Sequence, residues 1–273
     1  MDKYEVLKQT FGYTSFREGQ ERLVDSTLSG RDVLGIMPTG AGKSICFQIP
    51  ALMFPGITIV ISPLISLMKD QVTALNAAGI HAAYINSSLT EGQFYKAMEY
   101  ARKGRYKIIY AAPERLMTES FLALAQEVPI SMVAVDEAHC ISQWGQDFRP
   151  GYLKIVDFIQ QLPVRPVLAA YTATATKAVK EDILCILGLQ NPDVLVTGYD
   201  RHYLLQYQEK RGGGSSSSGA GRLSGSTVSC RAFGGREKAE PGGFYLRCNA
   251  RYGGNQCFWY GNRQVQCAVC DSL

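Results

Sequence analysis

Val33-Leu34-Gly35-Ile36-Met37-Pro38-Thr39-Gly40-Ala41-Gly42-Lys43-Ser44-Ile45-Cys46-Phe47 is the stretch on which the fold reading turns. The short apolar run at residues 33–37 predicts a strand buried on both faces, and Ile45, Cys46, Phe47 and Ile49 predict the apolar side of a helix directly after it. Between strand and helix, Gly40 and Gly42 let the backbone curl so that its N–H groups face inward, alongside the positive end of the helix. Pro38, Thr39, Gly40, Ala41 and Gly42 then frame a cradle for a polyphosphate. Lys43 reaches the outer phosphates and the Ser44 hydroxyl can hold Mg²⁺. The strict form of such a loop has a glycine where this chain has Met37.

Outward from this unit the pattern repeats. Apolar, β-branched runs at residues 57–61, 82–85, 107–111, 130–135, 166–170 and 194–197 alternate with helix-length segments at 64–78, 90–103, 152–161 and 176–187. Strands apolar on both faces, alternating with helices, predict an α/β fold: a mostly parallel sheet with helices on both faces. Ligands of such sheets sit beyond the C-terminal strand ends, so residues that follow strands are the candidates for chemistry. The run Ile130-Ser131-Met132-Val133-Ala134-Val135 ends in Asp136-Glu137-Ala138-His139. Asp136 is placed to hold Mg²⁺ opposite Ser44, and Glu137 to accept a proton from an attacking water. A third post-strand cluster is Thr172-Ala173-Thr174-Ala175-Thr176. Together these predict a nucleoside triphosphate site, with Lys43, Asp136 and Glu137 as its catalytic groups.

The 273 residues are 46% hydrophobic and 19% charged, with 15 Tyr and 11 Phe, which excludes a wholly disordered chain. The start, Met1-Asp2-Lys3-Tyr4-Glu5, has no basic, apolar leader, and no stretch approaches the roughly 18 apolar residues that span a bilayer. A cytoplasmic, membrane-free location is expected. The net charge of +4 hides a division: residues 1–210 carry 20 basic against 21 acidic groups, and residues 211–273 carry 8 against 3. From 211 to 226, twelve of sixteen residues are Gly or Ser, a flexible-coil composition. The expected organisation is therefore a domain at 1–210, a linker at 211–229 and a poorly ordered Cys-rich tail at 230–273. Cys46, Cys140 and Cys185 are read as inert. In the tail, Cys267 and Cys270 have metal-knuckle spacing and could join Cys248 and Cys257 around zinc, but a fifth cysteine, Cys230, and weak apolar periodicity weigh against it.

Read in chain order, Phe11-Gly12-Tyr13, Phe16-Arg17-Glu18-Gly19-Gln20, residues 37–44, Ser62-Pro63-Leu64-Ile65-Ser66-Leu67-Met68-Lys69-Asp70-Gln71, Ala112-Pro113-Glu114-Arg115-Leu116, Asp136-Glu137-Ala138-His139, Cys140-Ile141-Ser142-Gln143-Trp144-Gly145, Asp147-Phe148-Arg149-Pro150 and Thr172-Ala173-Thr174-Ala175-Thr176 resemble the first RecA-like motor domain of RecQ-type ATP-dependent DNA helicases, within the DEAD/DEAH superfamily. The resemblance spans residues 4–201 and accommodates Met37. It implies a RecA-like P-loop fold and ATP with Mg²⁺ as cofactors, with Gln20 on the adenine edge and Tyr13 and Arg17 against base and ribose. It implies DNA, single-stranded or partly unwound, as partner. Ser62 and Pro63 would touch the strand, Trp144, Phe148 and Arg149 would form a coupling loop, and His139, Thr172 and Thr174 would bridge that loop to the ATP site. Gln146 stands where the family usually has His. The function implied is the ATP-binding half of a 3′ to 5′ DNA helicase. After Gly198-Tyr199-Asp200-Arg201 the family pattern stops, and the arginines of a second motor domain are not found in the remaining residues. ATP and weak strand binding with little turnover is the expectation; a non-motor ATP-dependent DNA-binding module or an inactive fragment is the alternative.

Overall fold

A computed structural model describes residues 2–145 and 147–197. The linker, the tail cysteines, the stretch from Gly198 to Arg201 and Gln146 lie outside the described residues. All seven expected strands form: β1 (Val33–Ile36), β2 (Ile57–Ile61), β3 (Ala82–Ile85), β4 (Ile108–Ala111), β5 (Ile130–Val135), β6 (Val167–Thr172) and β7 (Asp193–Val196). They make one sheet in the order β3-β4-β2-β5-β6-β1-β7, with every pairing parallel. The helices are α1 (Lys3–Phe11), α2 (Gln20–Leu28), α3 (Lys43–Met53), α4 (Ile65–Ala77), α5 (Glu91–Arg102), α6 (Glu119–Glu127), α7 (Lys154–Gln161) and α8 (Lys177–Ile186). Of these α1, α2 and α6 were not among the expected segments. Each is nine residues long and is held by tertiary packing rather than propensity.

Alternate residues of each strand point to opposite faces, and the core divides accordingly. Val33, Val60, Ile108, Tyr110, Met132, Ala134, Ala169 and Tyr171 meet Leu23 of α2, Cys46 and Phe47 of α3, and Met68, Val72 and Leu75 of α4. On the other face Leu34, Ile36, Ile59, Ile109, Val133, Val135 and Leu168 meet Met98 of α5, Phe121 of α6, Phe158 of α7 and Ile183 of α8. A further small core, Val6 and Leu7 with Val24, Ile45 and Ile49, seats α1 on α2 and α3. Gly35 sits where β1 crosses under Tyr171: a Cβ there would lie 2.8 Å from the tyrosine ring and 3.0 Å from Leu23, so the missing side chain makes room for an aromatic that packs 5.6 Å from Phe47. Among the described residues no helix is long and apolar enough to cross a membrane.

The rim at the N-terminal strand ends is tied by one carboxylate. Asp32, just before β1 and 2% exposed, accepts from the Leu168 amide of β6 at 2.9 Å and the Gln190 amide ahead of β7 at 2.6 Å. Arg165 binds both its oxygens, at 3.2 and 2.6 Å. Asp32 thus holds β1, β6 and β7 in register at one end, and its loss leaves two amides without their acceptor and Arg165 with only the Pro166 and Gly188 carbonyls. Asp32→Ala should lower the unfolding free energy by about 3 kcal/mol, read as a shifted urea midpoint with an unchanged slope.

Candidate active site

Beyond the C-terminal ends of β1 and β5 lies a cleft of about 380 Å³. Tyr13, Arg17 and Gln20 line one side, Thr39, Gly40, Gly42, Lys43 and Ser44 its floor, and Asp136 and Glu137 the far end. Ser15, Ile45 and Leu67 also line it; as ordinary surface and helix residues in sequence they carried no signal. The loop closes with a bond from the Ala41 amide to the Pro38 carbonyl at 3.1 Å. Gly40 and Gly42 are left-handed, at φ +83° and +80°, and Gly42 is the last residue before α3. Met37 continues β1, with its amide on the Thr172 carbonyl at 3.0 Å and its side chain in the core. A position that is strand-like and core-filling has no need of the glycine that the strict pattern would put there.

Gln20 is nearly buried, and its amide is already in use. Its Oε1 accepts from the Arg17 amide at 2.8 Å, and its Nε2 donates to the carbonyls of Ala41 at 2.9 Å and Gly42 at 3.1 Å. Arg17 Nη1 donates to the Gly40 carbonyl at 2.6 Å. Three successive loop carbonyls are therefore drawn toward α2. Because the peptides are trans, the amides of Gly42 and Lys43 point the opposite way, as an anion cradle requires. With both Nε2 hydrogens donated to the loop, the Gln20 amide has only the remaining Oε1 lone pair to offer the adenine edge expected there.

Asp136 follows directly on β5, its amide donating to the Ile61 carbonyl at 2.8 Å. Its Oδ1 accepts from the Glu137 amide at 3.0 Å, and the Tyr152 hydroxyl donates to its main-chain carbonyl at 2.9 Å. Burial, and then the neighbouring Glu137 charge, push the Asp136 carboxyl up to about 6, although Lys43 pulls the other way. Glu137 adopts a left-handed backbone at φ +47°, unusual for a residue with a Cβ and characteristic of functional strain. A bond with His139 holds the Glu137 carboxyl below its usual range. The Cys140 thiol, 3.8 Å from Nε2, and the Glu137 carboxylate, 3.3 Å from Nδ1, raise the His139 imidazole. Lys43 Nζ donates to the Met37 carbonyl at 3.2 Å. The oxygen donors of Ser44 and Asp136, the latter a desolvated carboxylate in want of a counter-charge, suit a hard cation such as Mg²⁺.

A polar path leaves the cleft from Glu137. Thr172, fully buried, donates to the Thr174 carbonyl at 3.0 Å, so its oxygen is the acceptor for His139 Nδ1 at 2.9 Å. After the short 3₁₀ turn Ala138–Ile141 the chain loops outward. Ser142 Oγ donates to Asp182 of α8 at 2.6 Å and accepts from the Trp144 amide at 3.1 Å. Trp144 itself is 76% exposed, while Phe148 is half-buried. Arg149 pairs with Asp147 at 3.0 Å and donates to the Pro63 carbonyl at 3.4 Å, which joins the loop to the segment after β2. Ser62 is placed differently from its neighbour: it is 1% exposed, and its hydroxyl is buried without a partner among the described residues, so its side chain does not share the surface with Pro63.

The raised Asp136 carboxyl makes a sign-definite prediction for stability. A group whose folded pKa lies above its ordinary value of 3.8 favours the folded state below that value, and this contribution is lost as pH rises through about 6. Asp136→Asn should therefore stabilise the ligand-free chain at pH ~7.5 by on the order of 1 kcal/mol, and thermal melts of the two proteins should converge toward pH ~4.

Comparison with known proteins places this geometry. Residues 17–182 match the DEAD/DEAH box helicase family. The chain is 52% identical over 197 residues to the ATP-dependent DNA helicase RecQ of Pasteurella multocida, covering 72% of this chain and 31% of that protein. It is 50% identical over 200 residues to the ATP-dependent DNA helicase RecQ of Bacillus subtilis, covering 73% and 34%. The chain thus spans about a third of the length of these curated relatives. In fold it is similar to a hypothetical ATP-dependent RNA helicase from Sulfolobus tokodaii, with a TM-score of 0.54 at 20% identity over 71% of this chain and 56% of that one. The solved structure agrees with a RecA-like fold, and the chain belongs to the DEAD/DEAH box helicase family, resembling its RecQ-type members.

Proposed function

We propose that this chain is the ATP-binding lobe of a RecQ-type 3′ to 5′ DNA helicase: it binds Mg²⁺·ATP in the cleft and single-stranded or partly unwound DNA along the outer loop, and alone it turns ATP over slowly. The observation that carries this is the convergence of the phosphate loop with Asp136 and Glu137 in one cleft, joined through His139 to Thr172 and, beyond the Ala138–Ile141 turn, to the loop bearing Trp144 and Arg149.

On this reading the Gly42 and Lys43 amides receive the phosphates, and Lys43 exchanges the Met37 carbonyl for an outer phosphate oxygen. Glu137, kept ionised by His139, takes the proton of the attacking water. Ser44 and Asp136 hold Mg²⁺, whose charge offsets that of the phosphate oxygens. Tyr13, half-exposed beside Arg17 and Gln20, supports the base. Outside the cleft Trp144 stacks on a base and Arg149 pairs with a phosphate. Among the described residues the one arginine lining the cleft is Arg17, which is bonded to the loop carbonyl of Gly40. A free arginine at the outer phosphate is worth on the order of a thousandfold in rate, hence the low intrinsic turnover.

The test is steady-state ATP hydrolysis with and without saturating single-stranded DNA, beside Lys43→Ala. ATP should bind, hydrolysis should stay near background in both conditions, and Lys43→Ala should weaken nucleotide binding at least ~10-fold. A many-fold stimulation by DNA would overturn the slow-turnover part, and absence of nucleotide binding would overturn the whole. A separate variant probes the outer loop: Trp144→Ala should cost about 1–3 kcal/mol in single-strand affinity while leaving ATP affinity unchanged, by fluorescence anisotropy with a labelled oligothymidine.

A further inference from the structure

Asp136 stands at a break in the hydrogen-bond ladder. Its amide still pairs with β2 through the Ile61 carbonyl at 2.8 Å, but at Glu137 the backbone turns left-handed and leaves the sheet. The Asp136 carbonyl belongs to the first peptide beyond the strand, and its acceptor need is met by a side chain, the Tyr152 hydroxyl at 2.9 Å. The N–H of that same peptide, on Glu137, donates to Asp136 Oδ1 at 3.0 Å, so the orientation of the plane aims the hydrogen bond that holds the Asp136 carboxylate. Without a donor on the carbonyl, that N–H bond alone would hold the plane, and a tilt of the plane would carry the bonded Asp136 carboxylate with it.

Tyr152 is suited to hold the plane still. It is fully buried, in the same core as Ile141, Ile155 and Phe158, and burial keeps its hydroxyl protonated well above the ordinary range for tyrosine. Its packing would be equally served by a phenylalanine; the one polar atom it adds is spent on Asp136. It also lies in the 3₁₀ turn Pro150–Leu153, whose capping residue is Arg149, and its amide donates to the Arg149 carbonyl at 2.9 Å. One short turn thus carries both the outer-loop cation and the group that orients the Asp136 carboxylate.

We propose that Tyr152 is a positioning residue for the nucleotide site, fixing the peptide plane between Asp136 and Glu137 and thereby the carboxylate that meets Mg²⁺. This rests on the nucleotide reading given above. The experiment is Tyr152→Phe in the full 273-residue chain, with a fluorescent methylanthraniloyl-ATP titrated in Mg²⁺ and in EDTA, and a melting curve of each protein. Affinity in EDTA should stay within about twofold of wild type, while the tightening produced by Mg²⁺ should fall about five- to tenfold, the effect of one well-made hydrogen bond. An unchanged Mg²⁺ effect would overturn the proposal. So would equal losses with and without Mg²⁺, or failure to fold, since either makes the hydroxyl a structural group. If the wild-type chain binds no nucleotide in either buffer, the nucleotide reading itself fails and takes this proposal with it; wild-type binding beside an unaltered variant leaves that reading standing and removes this one alone.

Discussion

Parallel pairing of all seven strands is the constraint from which the rest follows. It sends every C-terminal strand end to one rim, where the chain leaves the sheet and backbone groups lose their ladder partners. Residues of the proposed site take up several of these groups. Lys43 donates to the Met37 carbonyl after β1, Tyr152 to the Asp136 carbonyl after β5, and Thr172 to the Thr174 carbonyl at the end of β6. The phosphate loop meets the same need through Gln20 and Arg17. Site and fold are therefore stabilised by the same bonds, and only the opposite rim, tied by Asp32, is free of that double duty.

Two adjacent carboxylates with opposite electrostatic fates sit on this rim. Asp136 is desolvated and faces a like charge, which makes its ionised form costly until a cation arrives. Glu137, one residue on, is turned by its left-handed backbone toward His139 and stays ionised. Neighbouring acids pushed apart in this way suit different tasks, which is what the proposed metal and base roles require of Asp136 and Glu137. Lys43 lines the same cleft as Asp136, and in the ligand-free cleft it is bonded to a main-chain carbonyl.

The strands were legible because a sheet covered on both faces demands continuous apolar runs, and runs such as Ile57-Thr58-Ile59-Val60-Ile61 fit nothing else. The phosphate loop and the Asp136-Glu137 pair were legible because their chemistry is local, set by residues within a few positions of a strand end. Long-range relations were not. Nothing near Gln20 in sequence announces that its amide will grip carbonyls more than twenty residues away, and nothing near Tyr152 points to Asp136. Ser62 and Pro63 are neighbours in sequence, yet the Ser62 side chain is buried while Arg149, distant in the chain, reaches the Pro63 main-chain carbonyl. The helices α1, α2 and α6 were not legible because their apolar faces acquire meaning only against one another, α3 and the sheet.

The path between outer loop and cleft is stiff at one end and compliant at the other. His139, Thr172 and Thr174 are linked by short bonds around a fully buried threonine, where breaking a contact strands a polar group and costs about 1–3 kcal/mol. Arg149 lies at the other extreme. Its pair with Asp147 is solvent-exposed and worth at most about 1 kcal/mol, and its bond to the Pro63 carbonyl is long, at 3.4 Å. A phosphate offering a charged acceptor replaces such contacts at little cost. Arg149 can therefore change partners while the buried bonds of His139, Thr172 and Thr174 stay intact.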